Sequence, residues 1–243
     1  MIDVQRQTVA QLYRALTQRG INSGSAGNVS LRTSDGMLIT PSGCSAETLS
    51  EGGVVAMSLD GHVPQDGGTP SSEWSMHAAI YQAFPQAGAV VHAHADSCTA
   101  LACLNEPLPG FHYMVTRFGG DDVRCAPYVT FGTPELARAA VAALEGRKAC
   151  LLSNHGMVVH GRDADEALQD AVLLESLCRQ YLMARAAGAV RLLNATEIAA
   201  SIERFKTYGA AAPHDHHATL AARRRHDRQR AEALRAGHDH GHG

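Results

Sequence analysis

An apolar run of strand length, Ala-Gly-Ala-Val-Val-His-Ala-His-Ala at 87–95, carries two histidines in alternate positions. By composition it reads as a buried strand, and side chains two apart on a strand project to the same side. His92 and His94 can therefore converge on one ion. The pair fits equally well with one histidine hydrogen-bonded in the core and the other at the surface, so a metal needs a third ligand. His155 is a candidate: it lies in Ser153-Asn154-His155-Gly156, a turn between two apolar runs where a histidine has no packing purpose. Three imidazoles with an open position describe a catalytic rather than a structural zinc site.

The segments around this strand alternate in type. Val9, Leu12, Tyr13 and Leu16 have the spacing of one helix face, with Gly20 placed for a left-handed cap. Val29–Leu31 and Met37–Ile39 flank Asp35-Gly36, a hairpin dipeptide. Residues 54–64 read as weaker short strands, and Ser71-Ser72 as caps of a helix from Trp74 to Phe84. A short helix is predicted over 97–104, two short strands over 111–130 around Gly119-Gly120, and a helix opened by Thr133-Pro134-Glu135. Strands at Ala149–Leu152 and Met157–His160 precede a long helix over 164–187, and Thr196 is placed to cap a last one ending near Tyr208. The strands and helices interleave without βαβ regularity.

From Ala210 the composition changes. Apart from Leu220 and Leu234 the segment has almost no large apolar residue, so it cannot pack a core and is expected to be a tail, disordered or partly helical. It holds seven of the 14 histidines and the cluster Arg223, Arg224, Arg225, Arg228 and Arg230, with no catalytic role assigned to either. The division expected is a domain over 1–209 and a tail over 210–243.

With 45% apolar and 19% charged residues the chain can bury a core. A net charge of −3 gives no field to hold a nucleic-acid backbone, and no run resembles a membrane span or a signal peptide. Six scattered cysteines without a CxxC pair suggest reduced thiols and a cytoplasmic location.

Glu73, at a helix start, has two readings: a favourable charge on the helix dipole, or a carboxylate beside a metal that serves in turn as ligand and proton carrier. The loops Ser25-Ala26-Gly27-Asn28, Thr40-Pro41-Ser42-Gly43 and Ser71-Ser72 are singly ordinary turns. Together they are the materials of a phosphate nest built on backbone dipoles.

The pieces SAGNVSLR, DGMLITPSG, PSSEWSMH, AVVHAHA, FHYMV, CAPYVTFGTPEL, NHG and ERFKTYG occur in order over residues 5–209. On them the chain resembles the class II aldolase/adducin family. The resemblance implies an α/β fold in three layers, with a central, largely antiparallel sheet between helices. It also implies a homotetramer with zinc sites at subunit boundaries. By position Glu73, His92, His94 and His155 would hold the zinc, and Gly27, Asn28, Ser42, Gly43, Ser71 and Ser72 the phosphate, with Ser25 nearby. Tyr113 would reach a neighbouring subunit's site, and Phe131, Phe205 and Tyr208 would surround the aldehyde end. Ser25 and Ser42 stand where threonines are usual, and Asn154 where another histidine is frequent.

The activity this implies is reversible cleavage of a ketose 1-phosphate, like L-fuculose 1-phosphate, into dihydroxyacetone phosphate and an aldehyde. Glu73 would carry the proton at C3 and Tyr113 the proton on the aldehyde-derived oxygen. A Schiff base is not needed, and the chain has only Lys148 and Lys206. The same family includes a pentulose-phosphate 4-epimerase, with Asp usual after the serine pair, a methylthioribulose-1-phosphate aldolase or dehydratase, decarboxylases, and a non-catalytic adducin-like module lacking the metal ligands.

Overall fold

The computed structural model describes residues 2–207, and residues up to Ile202 form one compact unit. Its elements follow in the order α1 (Ile2–Gln18), β1 (Asn28–Thr33), β2 (Gly36–Ile39), β3 (Val55–Met57), α2 (Trp74–Ala83), β4 (Ala89–Ala93) and α3 (Asp96–Ala102). Then come β5 (Leu108–Pro109), β6 (Asp122–Val123), β7 (Cys125–Ala126), α4 (Pro134–Ala143), β8 (Ala149–Leu152), β9 (Gly156–Gly161), α5 (Ala164–Ala187) and α6 (Ala195–Thr207). A second unit begins at Glu203, and of it the end of α6 is described, where Lys206 Nζ donates to Glu203 at 2.7 Å. Tyr208 and the expected tail lie outside the described residues.

Seven strands form one sheet in the order β3-β2-β1-β4-β9-β8-β7, antiparallel throughout except for the β7–β8 pair. The strand with the two histidines is at its centre, between β1 and β9. Alternation along β4 divides the interior. Ala89, Val91 and Ala93 join the core under α1, α3 and α5, while Val90 joins the core under α2 and α4. The result is the expected three-layer α/β/α sandwich around a largely antiparallel sheet.

Local chemistry explains most boundaries. Val9, Leu12, Tyr13 and Leu16 are all buried, each contributing about 1.5–3 kcal/mol by removal from water, and Gly20 takes φ +70° just past the end of α1. Thr133 caps α4 by accepting from Leu136 N at 3.2 Å, with Pro134 at the first helical position.

Four expectations need correction. Of residues 54–64 only Val55–Met57 is strand, because Ser58 Oγ accepts from His62 N and closes a turn. Residues 111–130 are not simply two strands: Tyr113–Phe118 is a 3-10 helix, capped by His112 Nδ1 accepting from Met114 N, and only 122–123 and 125–126 pair as strands. Helix α2 is capped by neither serine; Glu73 occupies its N-cap without a side-chain cap bond, and Ser71 Oγ accepts from Glu73 N one turn earlier. Asn194, not Thr196, caps α6, accepting from Glu197 N at 3.0 Å.

Candidate functional site

The end of β4 brings out His92 and His94, and the β8–β9 turn brings His155 back over them. Asn154 takes φ +53° in that turn, a left-handed conformation that asparagine tolerates. The three rings stand with centroids 4.8–4.9 Å apart and planes inclined by 68–73°. His92 Nε2 lies 3.0 Å from His94 Nε2 and 3.0 Å from Glu73 Oε2, and His155 Nε2 lies 3.4 Å from Glu73 Oε1. One ligand atom from each of these four residues falls within 4.8 Å of every other. No other group of this kind is found among the described residues.

The donor set fits a divalent cation of the zinc type. His92 Nδ1 is 2.9 Å from the Met157 carbonyl oxygen, which can only accept, so Nδ1 carries the proton and the Nε2 lone pair faces the cluster. Glu73 Oε1 is buried without a hydrogen-bond partner among the described residues, which a cation would satisfy. Burial pushes the His155 imidazole down to about 4, helped by His92, and lowers His94 for the same reasons, so both favour the neutral form that ligates. Burial alone would raise the Glu73 carboxyl; the His92 and His155 rings and the Asn28 amide outweigh it and hold it well below the usual carboxylate range.

A cavity of about 300 Å³ opens onto His94, His155 and Glu73, and its other walls are the three small-residue loops. They supply Ser25, Gly27, Asn28, Ser42, Gly43, Ser71 and Ser72, with Phe131 beside them, and no Lys or Arg among the described residues lines it. Gly27 takes φ +76°, and a Cβ there would stand 2.7 Å from the His92 carbonyl oxygen, so only glycine lets this loop run against β4. Ser71 N donates to Thr40 O and Ser42 N to Thr69 O, lacing the second and third loops together.

The structure also shows what the sequence concealed. Tyr13 projects its hydroxyl from α1 to the carbonyls of Cys44 (3.1 Å) and Ala26 (3.3 Å), tying the first two loops together. Its place in an apolar helical stripe gave no sign of this. The Asn28 side chain, on the cavity wall, makes a bond the sequence did not announce: its Nδ2 donates to Glu73 Oε2 at 3.1 Å. Tyr113 is 55% exposed and is not among the residues lining its own chain's cavity. Phe205 belongs to the second unit, and Tyr208 lies outside the described residues.

Residues 7–182 match the family model described as the class II aldolase and adducin N-terminal domain. The chain belongs to the class II aldolase/adducin family. Among members of this family, it is 47% identical over 204 residues to the 5-methylthioribulose-1-phosphate/5-deoxyribulose-1-phosphate aldolase of Rhodospirillum rubrum, an alignment covering 84% of this chain and 92% of that protein. It is also 47% identical over 195 residues to the L-fuculose phosphate aldolase of Escherichia coli O6:H1, covering 80% and 90% of the two chains. The solved structure of an L-fuculose 1-phosphate aldolase superposes with a TM-score of 0.80 at 36% identity, over 84% of this chain and 96% of that one. Class II aldolases are metal-dependent, and these relatives place the chain among the lyases. No helix among the described residues is long and apolar enough to cross a membrane.

Proposed function

We propose that the chain is a zinc-dependent aldolase that reversibly cleaves a ketose 1-phosphate, of the L-fuculose 1-phosphate kind, into dihydroxyacetone phosphate and an aldehyde. One observation carries this: the Glu73, His92, His94 and His155 cluster opens into the same cavity as three loops of small and hydroxyl residues. Glu73, His92, His94 and His155 would hold one zinc per subunit. When bound, the ion supplies a Lewis acid for the negative charge that develops as C3–C4 breaks. Gly27, Asn28, Ser42, Gly43, Ser71 and Ser72 hold the phosphate by small side chains, hydroxyls and backbone N–H groups.

Glu73 delivers a proton to C3 in cleavage and removes it in synthesis, Oε1, which makes no hydrogen bond among the described residues, being the oxygen available. Tyr113 comes from a neighbouring copy in a homotetramer and exchanges the proton on the aldehyde-derived oxygen, while Phe131, Phe205 and Tyr208 enclose the aldehyde end. Six free cysteines support a cytoplasmic location. Residues 1–209 form the catalytic domain and 210–243 a dispensable tail.

A second aldehyde half has equal support, because the relative named for methylthioribulose and deoxyribulose phosphates matches at the same 47% identity as one named for fuculose phosphate. The test is a panel of ketose 1-phosphates offered to the purified protein, with release of dihydroxyacetone phosphate coupled to NADH oxidation. Release from one or more of them is expected, and the preferred substrate identifies the aldehyde. Epimerised pentulose phosphate without release, or no release from any member, overturns the proposal.

A further inference from the structure

A line of buried polar side chains runs from the site into the layer between the sheet and α2. Asn28 and Ser30 alternate with the apolar Val29 and Leu31 on β1, so they face α2, which presents His77 and Tyr81 one turn apart. Ser30, His77 and Tyr81 are all essentially inaccessible to solvent. The contacts are continuous: Tyr81 OH to Ser30 Oγ at 2.8 Å, Ser30 Oγ to His77 Nδ1 at 2.7 Å, His77 Nε2 to Asn28 Oδ1 at 2.5 Å, and Asn28 Nδ2 to Glu73 Oε2 at 3.1 Å.

Donor and acceptor chemistry fixes the direction of every bond. A carboxylate only accepts, so the Asn28 amide must turn its NH₂ to Glu73 and its oxygen to His77. That oxygen also only accepts, so His77 Nε2 carries the proton. The ring is wholly buried, and burial pushes it down to about 3 despite the opposing pull of the Glu73 carboxylate, so it is neutral and Nδ1 is bare. Nδ1 must then accept from the Ser30 hydroxyl. Having given its only proton, Ser30 accepts from Tyr81. All four donors point the same way, from Tyr81 toward Glu73.

We infer that His77 is a positioning residue for Glu73, acting through Asn28, and that Ser30 and Tyr81 serve to hold it in the tautomer that can do so. Glu73 needs such support. It stands at the N-cap of α2 without a side-chain bond to its own helix, and Asn28 supplies a directed donor to Oε2 while Oε1 makes no hydrogen bond among the described residues. The relay therefore presents one oxygen of the carboxylate to the cation and substrate and restrains the other. This rests on the proposal that Glu73 is a zinc ligand and proton carrier; the direction of the hydrogen bonds does not.

Three measurements test it. The first is the tautomer of His77 in the zinc-loaded protein, read from ring ¹⁵N resonances: a proton on Nε2 is expected, and one on Nδ1 overturns the inference. The second compares His77→Leu, which can neither donate nor accept, with His77→Gln, whose amide can do both. His77→Leu should weaken zinc binding, titrated against a chromophoric chelator, by about 10–100-fold, and should lower kcat with little change in KM. His77→Gln should recover most of both losses. A folded His77→Leu protein with unaltered zinc affinity and kcat, or a Gln variant as impaired as Leu, shows that His77 only fills space and overturns the inference. Should His77→Leu fail to fold, Ser30→Ala takes its place, and the tautomer result stands independently. The third is Glu73→Gln. If it keeps full zinc affinity and rate, the assignment of Glu73 falls, while the His77 tautomer still decides the direction of the relay. If it is impaired and His77→Leu is not, only the relay falls.

Discussion

Gly156 lies so close beneath Ala93 that a Cβ on it would stand 2.4 Å from the Ala93 carbonyl oxygen and 3.1 Å from the His94 ring. The β8–β9 turn can close over the end of β4 only with no side chain at this point, and that closure carries His155 to His92 and His94. Gly156→Ala should therefore act on the metal before it acts on the fold. A neighbour's backbone cannot move aside as a flexible side chain can, so a loss of about 1–3 kcal/mol in stability is expected. Zinc content should fall with it. Thermal unfolding with and without added zinc, together with metal analysis, checks both, and an alanine variant that retains its metal shows the turn to be more compliant than its geometry implies.

The four-ligand cluster makes its own prediction. Chelation that strips the metal should abolish turnover, and returning zinc should restore it. His92→Ala and His94→Ala should lose metal. Glu73→Gln should retain much of it, because an amide oxygen still coordinates, yet lose about 10²–10⁴-fold in rate, because an amide carries no proton at the working pH. A fully active metal-free protein, or a fully active Glu73→Gln variant, removes the corresponding role.

How much of this was legible beforehand depended on whether the signal was local. The period of two in Val90-Val91-His92-Ala93-His94 and the displaced histidine in a turn are local, and the structure brings them together. Thr133-Pro134 declared its helix for the same reason. Tyr113–Phe118 is composed like a strand, but its 3-10 conformation depends on His112 accepting from Met114 N and on Thr116 Oγ1 meeting Ser201 Oγ at 2.9 Å, 85 residues away. No window of sequence contains that contact. The second functions of Tyr13 and His77 were hidden differently. Each sits where an interior helix residue belongs, and only the partner on another element shows that its polar atom has a task.

Acid stability should depend measurably on Glu166. Burial would raise this carboxyl, but the Arg162 backbone N–H (2.7 Å), the Lys148 ammonium (2.9 Å) and the Arg162 guanidinium (3.1 Å) outweigh it and hold it down to about 2. A carboxyl depressed in the folded state stabilises above its ordinary value of 4.5 and loses that contribution as pH falls toward about 2. Because Lys148 and Arg162 are open to solvent, the contribution is screened to about 1 kcal/mol. Glu166→Gln should thus be less stable than the unmodified protein near neutrality, and the two should converge between pH 4.5 and about 2. Urea midpoints across that range decide it; parallel pH curves would show that Glu166 titrates alike in the folded and unfolded chain.

The site is proposed to be completed by a second copy, and Tyr113 provides the test. It begins the 3-10 helix Tyr113–Phe118, it is 55% exposed, and its own chain's cavity is lined without it. The segment is nonetheless firmly held, since the Tyr113 carbonyl oxygen accepts from Thr116 Oγ1 at 2.7 Å and from Ser201 Oγ at 3.2 Å. An exposed tyrosine on a firmly held segment that lines no wall of its own chain's cavity suits a task in a neighbour's site. Tyr113→Phe and Glu73→Gln should each be nearly inactive alone. Exchanging subunits between them should restore part of the activity, because some boundaries then join an intact Glu73 to an intact Tyr113. Should both parents be inactive and shown to exchange subunits, yet remain inactive at every mixing ratio, Tyr113 serves its own chain or takes no part in the reaction, and the shared site must be abandoned.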